Sequence, residues 1–108
     1  MLKALFSRNN FDGVVEAVHY NADGSIDWVR AYERRGPTWS DRVLIDRDKL
    51  VARLAAGKRF YTGKRRISLA SEFDLSAPLR LLATENGHVL VTGGLKASKD
   101  QLAGVPVI

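Results

Sequence analysis

Cysteine is absent from the 108-residue sequence, which excludes disulfide scaffolds, thiolate-held zinc or iron–sulfur centres and thiol catalysis together. No apolar run approaches the ~20 residues that span a bilayer as a helix. The opening stretch Met1 to Phe6 gives way at once to Ser7, Arg8, Asn9 and Asn10, too short an apolar segment for a secretory signal. A cytoplasmic protein with no membrane partner is the expectation. Phosphate-loop and dinucleotide glycine patterns are missing, the serines stand in no nucleophile-elbow context, and no internal repeat is present. Histidine occurs twice, as His19 and His88, without ligand-type spacing. A metal site would require both to converge with carboxylates such as Glu16 or Asp12, and nothing in the spacing asks for that. The residues offer no catalytic constellation and demand no cofactor.

What remains is globular. Hydrophobic residues make up 45% and charged residues 27% of the chain, which suits one core in a chain too short for two. Residues 1–12 read as a mobile N-terminal segment and 13–93 as a single β-rich domain. In 94–108 Lys, Ser, Asp, Gln, Gly and Pro dominate, and a loosely ordered tail is expected.

The hydrophobic period is that of strands through most of the chain. Val14 to Tyr20 and Ile26 to Arg34 flank a turn at 21–25, a hairpin signal. On the second strand Ile26, Trp28, Arg30 and Tyr32 share one face, with Trp28 expected in the core, and Asp27, Val29, Ala31 and Glu33 share the other. Pro37 interrupts the ladder, and Arg42 to Ile45 follows as a short strand. A helix is expected over about 46–56. Asp46 is placed to cap it, Leu50, Val51, Leu54 and Ala55 form an apolar stripe, and Gly57 closes it. Arg47, Lys49 and Arg53 are expected on its outer side. At roughly ten residues it is marginal alone and must dock on the sheet.

Beyond the helix, Arg59 to Thr62 and Arg66 to Leu69 read as strands around a tight turn at Gly63–Lys64. Ser71 to Pro78 reads as a less regular connection. Leu79 to Thr84 and His88 to Thr92 bracket Asn86–Gly87, a strong hairpin signal. A two-residue type I′ turn there sets Glu85 opposite His88 and Leu82 opposite Val91, with Gly87 at positive φ. Both faces of that hairpin are apolar, so each needs cover, from the helix and from more sheet or a partner chain. The fold class expected is mainly β within α+β: a small barrel- or roll-like antiparallel sheet with one short helix between strands. The element order is compatible with an oligonucleotide-binding, OB-like barrel.

Charge is the most informative feature. The net charge is +5, yet residues 1–46 carry six basic and seven acidic groups, and 67–108 carry three and four. Residues 47–66 carry eight basic groups and one acidic one, so the whole excess lies in twenty residues. Within them Lys58, Arg59, Phe60, Tyr61, Lys64, Arg65 and Arg66 interleave cations with aromatics. Lys and Arg neutralise phosphates, and an exposed aromatic offers a stacking face to an unpaired base. Nucleic acid, single-stranded or structured, or another acidic partner is the expected ligand, with Arg53 and Arg47 assisting from the helix and Arg34 and Arg35 from the loop. Against this stands a plain alternative: a solvated basic hairpin with one aromatic in the core. Phe60 and Tyr61 fall on opposite faces, so at most one is free to stack. Trp39, in the loop after Pro37, is either a partner anchor or a cap on the barrel end. The expectation is a non-enzymatic binding module. Its rival is a homodimeric structural protein in which the basic hairpin is incidental.

Overall fold

A computed structural model describes residues 11–66, 69–85 and 87–108. Most of the expected mobile N-terminal segment and Asn86 of the expected turn lie outside the described residues. In chain order the elements are β1 (Gly13–Tyr20), β2 (Ile26–Arg35), β3 (Thr38–Trp39), β4 (Val43–Asp46), α1 (Arg47–Ala55), β5 (Phe60–Arg66), β6 (Leu69–Thr84) and β7 (Gly87–Thr92). The strands run β3-β2-β1-β5-β6-β7 across the sheet, with β4 also paired to β2, and the sheet curls into a half-barrel. Antiparallel pairing predominates. Among the named strands the exception is β1 with β5, parallel from Gly13 opposite Phe60 to Val15 opposite Thr62. Among the described residues the architecture is mainly β within α+β, with one helix between strands, as expected.

The helix forms as its sequence requires. The Asp46 carboxylate accepts from the Lys49 amide at 2.9 Å and so caps the first turn. At the other end Gly57 adopts φ +90°, while its amide reaches the Leu54 carbonyl and the Lys58 amide reaches that of Arg53, both at 3.0 Å. Leu50 is wholly buried, and Val51 and Leu54 pack beside it on the inside of the curl. Ala55, assigned to the same stripe, is exposed. Val15, Val18, Val29, Ala31, Phe60 and Leu90 belong to the same main core, with Ile26, Ile45, Leu79, Leu102 and Val105. The opposite side of the sheet carries a second cluster, in which Phe11, Val14 and Tyr32 are covered by Trp39, Tyr61, Phe73 and Leu75.

Several expectations are corrected. Trp28 is only half-buried: its ring stacks on His19, with centroids 4.9 Å apart and planes 14° from parallel. Val29 and Ala31, on the other face of β2, enter the main core instead. The tight turn at Gly63–Lys64 does not occur, because β5 runs straight through it. A Cβ on Gly63 would sit 2.3 Å from the Asp74 carbonyl oxygen, so this glycine serves close approach of β6 rather than chain reversal. The irregular connection over Ser71 to Pro78 is likewise continuous strand, part of the sixteen residues of β6. Pro78 is tolerated where β6 passes from pairing with β5 to pairing with β7, at an interruption of the ladder.

The last hairpin is shifted along its register. Thr84 pairs with Gly87, Leu82 with Val89 and Ala83 with His88, so Glu85 does not face His88 and Leu82 does not face Val91. The shift moves each partner by two residues and leaves the faces unchanged. It also sets Leu81 against Leu90 and Leu82 against Val89, large apolar side chains directly opposed on both faces. Gly87 has positive φ, +127°, but as the paired residue after the turn rather than within it.

Residues 94–108, expected as a loose tail, contain no helix or named strand, yet they are tied into the core. Leu102 and Val105 are buried. The Gln101 amide reaches the Leu90 carbonyl at 2.8 Å, and Val18 pairs with the 106–108 stretch through two backbone bonds of 2.9 Å. Beyond Val15, β1 no longer pairs with β5, and this segment takes up the freed edge. The apolar faces of β6 and β7 therefore find cover within the chain: Leu90 on one face and Val91 on the other are both fully buried.

Candidate functional site

The twenty-residue basic block is dispersed by the fold. Arg47 and Arg53, expected on the outer side of α1, are both engaged. Arg47 donates from Nε at 2.7 Å and from Nη2 at 3.0 Å to the Asp100 carboxylate. Asp100 also accepts the backbone amides of Ile26 at 2.8 Å and Leu90 at 2.9 Å. Burial works to raise the pKa of Asp100, but the hydrogen bonds from Arg47, Ile26 and Leu90 prevail and hold it below its ordinary value. The same pair, through the hydrogen bond to Asp100, raises the pKa of Arg47. Arg53 pairs with Glu33 on β2. Neither arginine is available to a ligand without breaking a bond that ties α1 to the sheet or to the chain's last segment.

Along β5 the strand period sorts the rest. Phe60 is 1% exposed and Thr62 is buried beside it. Tyr61, Gly63 and Arg65 point to the opposite face, where Tyr61 meets Phe11 edge-on with ring centroids 6.0 Å apart. Phe60 therefore offers no stacking face, and Tyr61 offers only part of one. Arg66 is paired to Asp74 at 3.0 Å and to Glu72 at 3.5 Å. Arg65 lies against the rings of Tyr32 and Phe73, in the second cluster. Lys64 is exposed, and Trp39 folds into the same second cluster, 4.7 Å from Phe73 with Arg34 over its ring. The structure therefore does not bring the seven residues from Lys58 to Arg66 onto one surface.

What does converge is a smaller set with one residue that sequence reasoning missed. Lys58, Arg59 and Arg80 border an open cleft of about 530 Å³ between the C-terminal end of α1 and β6. Leu54, Leu81 and Pro78 give it apolar walls, Tyr61 lines it, and no acidic residue does. All three cations are exposed, and none has a carboxylate partner among the described residues. Arg80 donates to the Gly93 carbonyl, which keeps its side chain at the border. Asp12 holds the Arg59 backbone amide at 2.9 Å and so fixes the start of β5. Arg80 was legible as outward-facing, since it alternates with the apolar Leu79 and Leu81, but its nearness to Lys58 and Arg59 depends on the β5–β6 pairing.

Among the described residues, no group of three or more His, Asp or Glu could hold a metal ion. Glu16 is held by Arg30, Arg42 and Tyr32. His19 is stacked on Trp28, and His88 is an exposed residue whose carbonyl accepts from Arg47. No described helix is long and apolar enough to cross a membrane. Comparison of the chain with protein-family models, with curated proteins and with solved structures returns no match.

Proposed function

We propose that the chain is a non-enzymatic cytoplasmic binding module that takes single-stranded or structured nucleic acid into the cleft bordered by Lys58, Arg59 and Arg80. The observation that carries this reading is the absence of any carboxylate from a cleft ringed by three cations. In the same molecule Arg47, Arg53 and Arg66 each have an acidic partner. Phosphates would meet the three cations at the border, and the exposed part of Tyr61 would take the edge or face of one base. The competing explanation is structural. Lys58 and Arg59 follow the C-terminus of α1, where positive charge complements the helix dipole by about 0.3–1 kcal/mol. The two roles make opposite predictions: a dipole role changes stability and leaves ligand affinity alone, whereas a binding role does the reverse.

The test is a titration of labelled single-stranded DNA and RNA at several salt concentrations. Replacing Lys58, Arg59 and Arg80 together with glutamine should flatten the dependence of log affinity on log salt, by up to ~0.7 for each lost phosphate contact. Arg47→Gln should leave the slope unchanged. Tyr61→Leu should cost a further ~1–3 kcal/mol if a base stacks there. Binding by the parent no tighter than roughly 100 μM at physiological salt would remove the reading. A second reading is favoured by one observation: Leu44, on the short strand β4, is 63% exposed and could be covered by a second copy of the chain. Sedimentation of Leu44→Lys against the parent over a range of concentrations decides it.

A further inference from the structure

The second cluster holds a charge imbalance of its own. Glu16, with a side chain only 10% exposed, is shared by Arg30 at 2.7 Å and Arg42 at 2.9 Å, and it accepts the Tyr32 hydroxyl at 3.1 Å. Arg42 Nε also donates to the Tyr32 oxygen at 3.1 Å. One carboxylate thus serves two guanidinium groups. Arg65 brings a third to the same tyrosine, its Cζ 4.6 Å from the Tyr32 ring centroid and 5.3 Å from that of Phe73. Arg65 has no carboxylate partner among the described residues, and its Nε is buried with no hydrogen-bond acceptor. The rings offset part of that charge through their quadrupoles, but they give the N–H groups no in-plane acceptor. Tyr32, Asp41, Arg42 and Arg65 line a cavity of about 360 Å³.

We propose that this cavity is a binding site for a small, doubly charged oxyanion of the phosphate monoester class, held between Arg65 and Arg42, whose contacts to Glu16 and Tyr32 run through Nε and leave its terminal nitrogens open among the described residues. Because Nε of Arg65 is enclosed, the anion meets the terminal nitrogens of that residue, whose guanidinium lies over the rings of Tyr32 and Phe73. Planar guanidinium groups bind phosphate oxygens with paired, charge-assisted bonds, which suits two arginines on one cavity. Asp41 is the lining residue that opposes an anion. It is exposed at the border and has no ion pair among the described residues, so it weakens the site without taking part in it. This site shares no residue with the cleft of Lys58, Arg59 and Arg80 and does not rest on the nucleic-acid reading.

The test follows the Arg65 side-chain N–H resonance during titration with inorganic phosphate and, separately, with phenyl phosphate, each against chloride at matched ionic strength. Saturable shifts are expected with both. Arg65→Gln should weaken binding roughly tenfold or more, the loss of a charge-assisted pair, read by calorimetry because the reporter is gone. Asp41→Asn, at an exposed position, should tighten it several-fold. The triple glutamine variant of the cleft should bind as the parent does. Unchanged affinity in Arg65→Gln, no gain in Asp41→Asn, or loss of phosphate binding in the cleft variant would each overturn the assignment. Binding of inorganic phosphate without phenyl phosphate would overturn the monoester class.

Discussion

Arg47 and Arg59 lie in one basic block of the sequence, and the fold treats them in opposite ways. Arg47 is drawn into a two-point pair with Asp100, 53 residues further along, and its side chain is 27% exposed against 2% for its partner. Arg59 stands in solvent beside Lys58, with its backbone rather than its guanidinium engaged by Asp12. Both count equally toward the net charge. The difference lies in what the fold delivers to each: a desolvated carboxylate in one case and a cleft without acid in the other. A block of like charges in sequence measures a potential for binding anions, and the acids that arrive from elsewhere decide how much of it is left.

That contrast can be broken by mutation, and the effects should fall in a definite order. Asp100→Ala should be the most damaging. It strands Arg47 and leaves the amides of Ile26 and Leu90 without their acceptor, at a cost of about 3–5 kcal/mol in chemical denaturation. A loss under about 1 kcal/mol would erase the distinction between the two arginines.

Acid probes the same group. Because the folded-state pKa of Asp100 lies below its ordinary value, its contribution is complete above the usual aspartate range and is lost as pH falls through the depressed value. Asp100→Asn should therefore give a flatter acid limb in a plot of melting temperature against pH than the parent does. Parallel limbs would assign the acid sensitivity to other carboxylates.

Glu33→Gln sits in the middle of the series. The side chains of Arg53 and Glu33 are 35% and 17% exposed, so water already screens the pair. The expected loss is about 1 kcal/mol, at the upper end for solvent-exposed pairs. A loss as large as that from Asp100→Ala would mean that the α1–β2 tie carries as much stability as the buried pair. Arg59→Gln should be the smallest, within about 0.5 kcal/mol of the parent by denaturation, as for substitutions away from packed or paired positions. If it destabilises as much as Glu33→Gln does, Arg59 is acting on the helix dipole and the cleft loses one of its cations.

Much of the local structure was legible. The helix was placed from the Asp46 cap, the Leu50–Leu54 stripe and Gly57, and these are the features that form it. β1 and β2 form where their β-branched and aromatic runs place them, but two register shifts break strict alternation, and one of them separates Ile26, in the main core, from Trp28. The errors cluster where a local signal has two physical causes. Gly63 suggested a turn, but a missing side chain also permits a neighbouring backbone to approach, and that is its role beside Asp74. Pro78 suggested a break, but a strand that changes partners can hold a proline where its ladder is interrupted. Trp28 was assigned to the core by size, though alternation alone could not say which face of β2 the helix would cover. In the candidate site, the burial of Phe60 or Tyr61 but not both was readable from the period of two. The entry of Arg80 and the withdrawal of Arg47, Arg53 and Arg66 were not.

By itself the sequence determined where the helix and the first two strands lie, which thiol and motif-based chemistries it lacks, and how much positive charge it carries. These follow from backbone propensity, from side-chain period and from simple counting, all of which act within a few residues. Only the tertiary structure decided which cations remain available. Pairing depends on which carboxylate arrives from elsewhere in the chain and how far both groups are desolvated when they meet. Asp100 looked like part of a polar tail until the fold buried it against Arg47, and Lys58, Arg59 and Arg80 became one cleft only when β5 paired with β6.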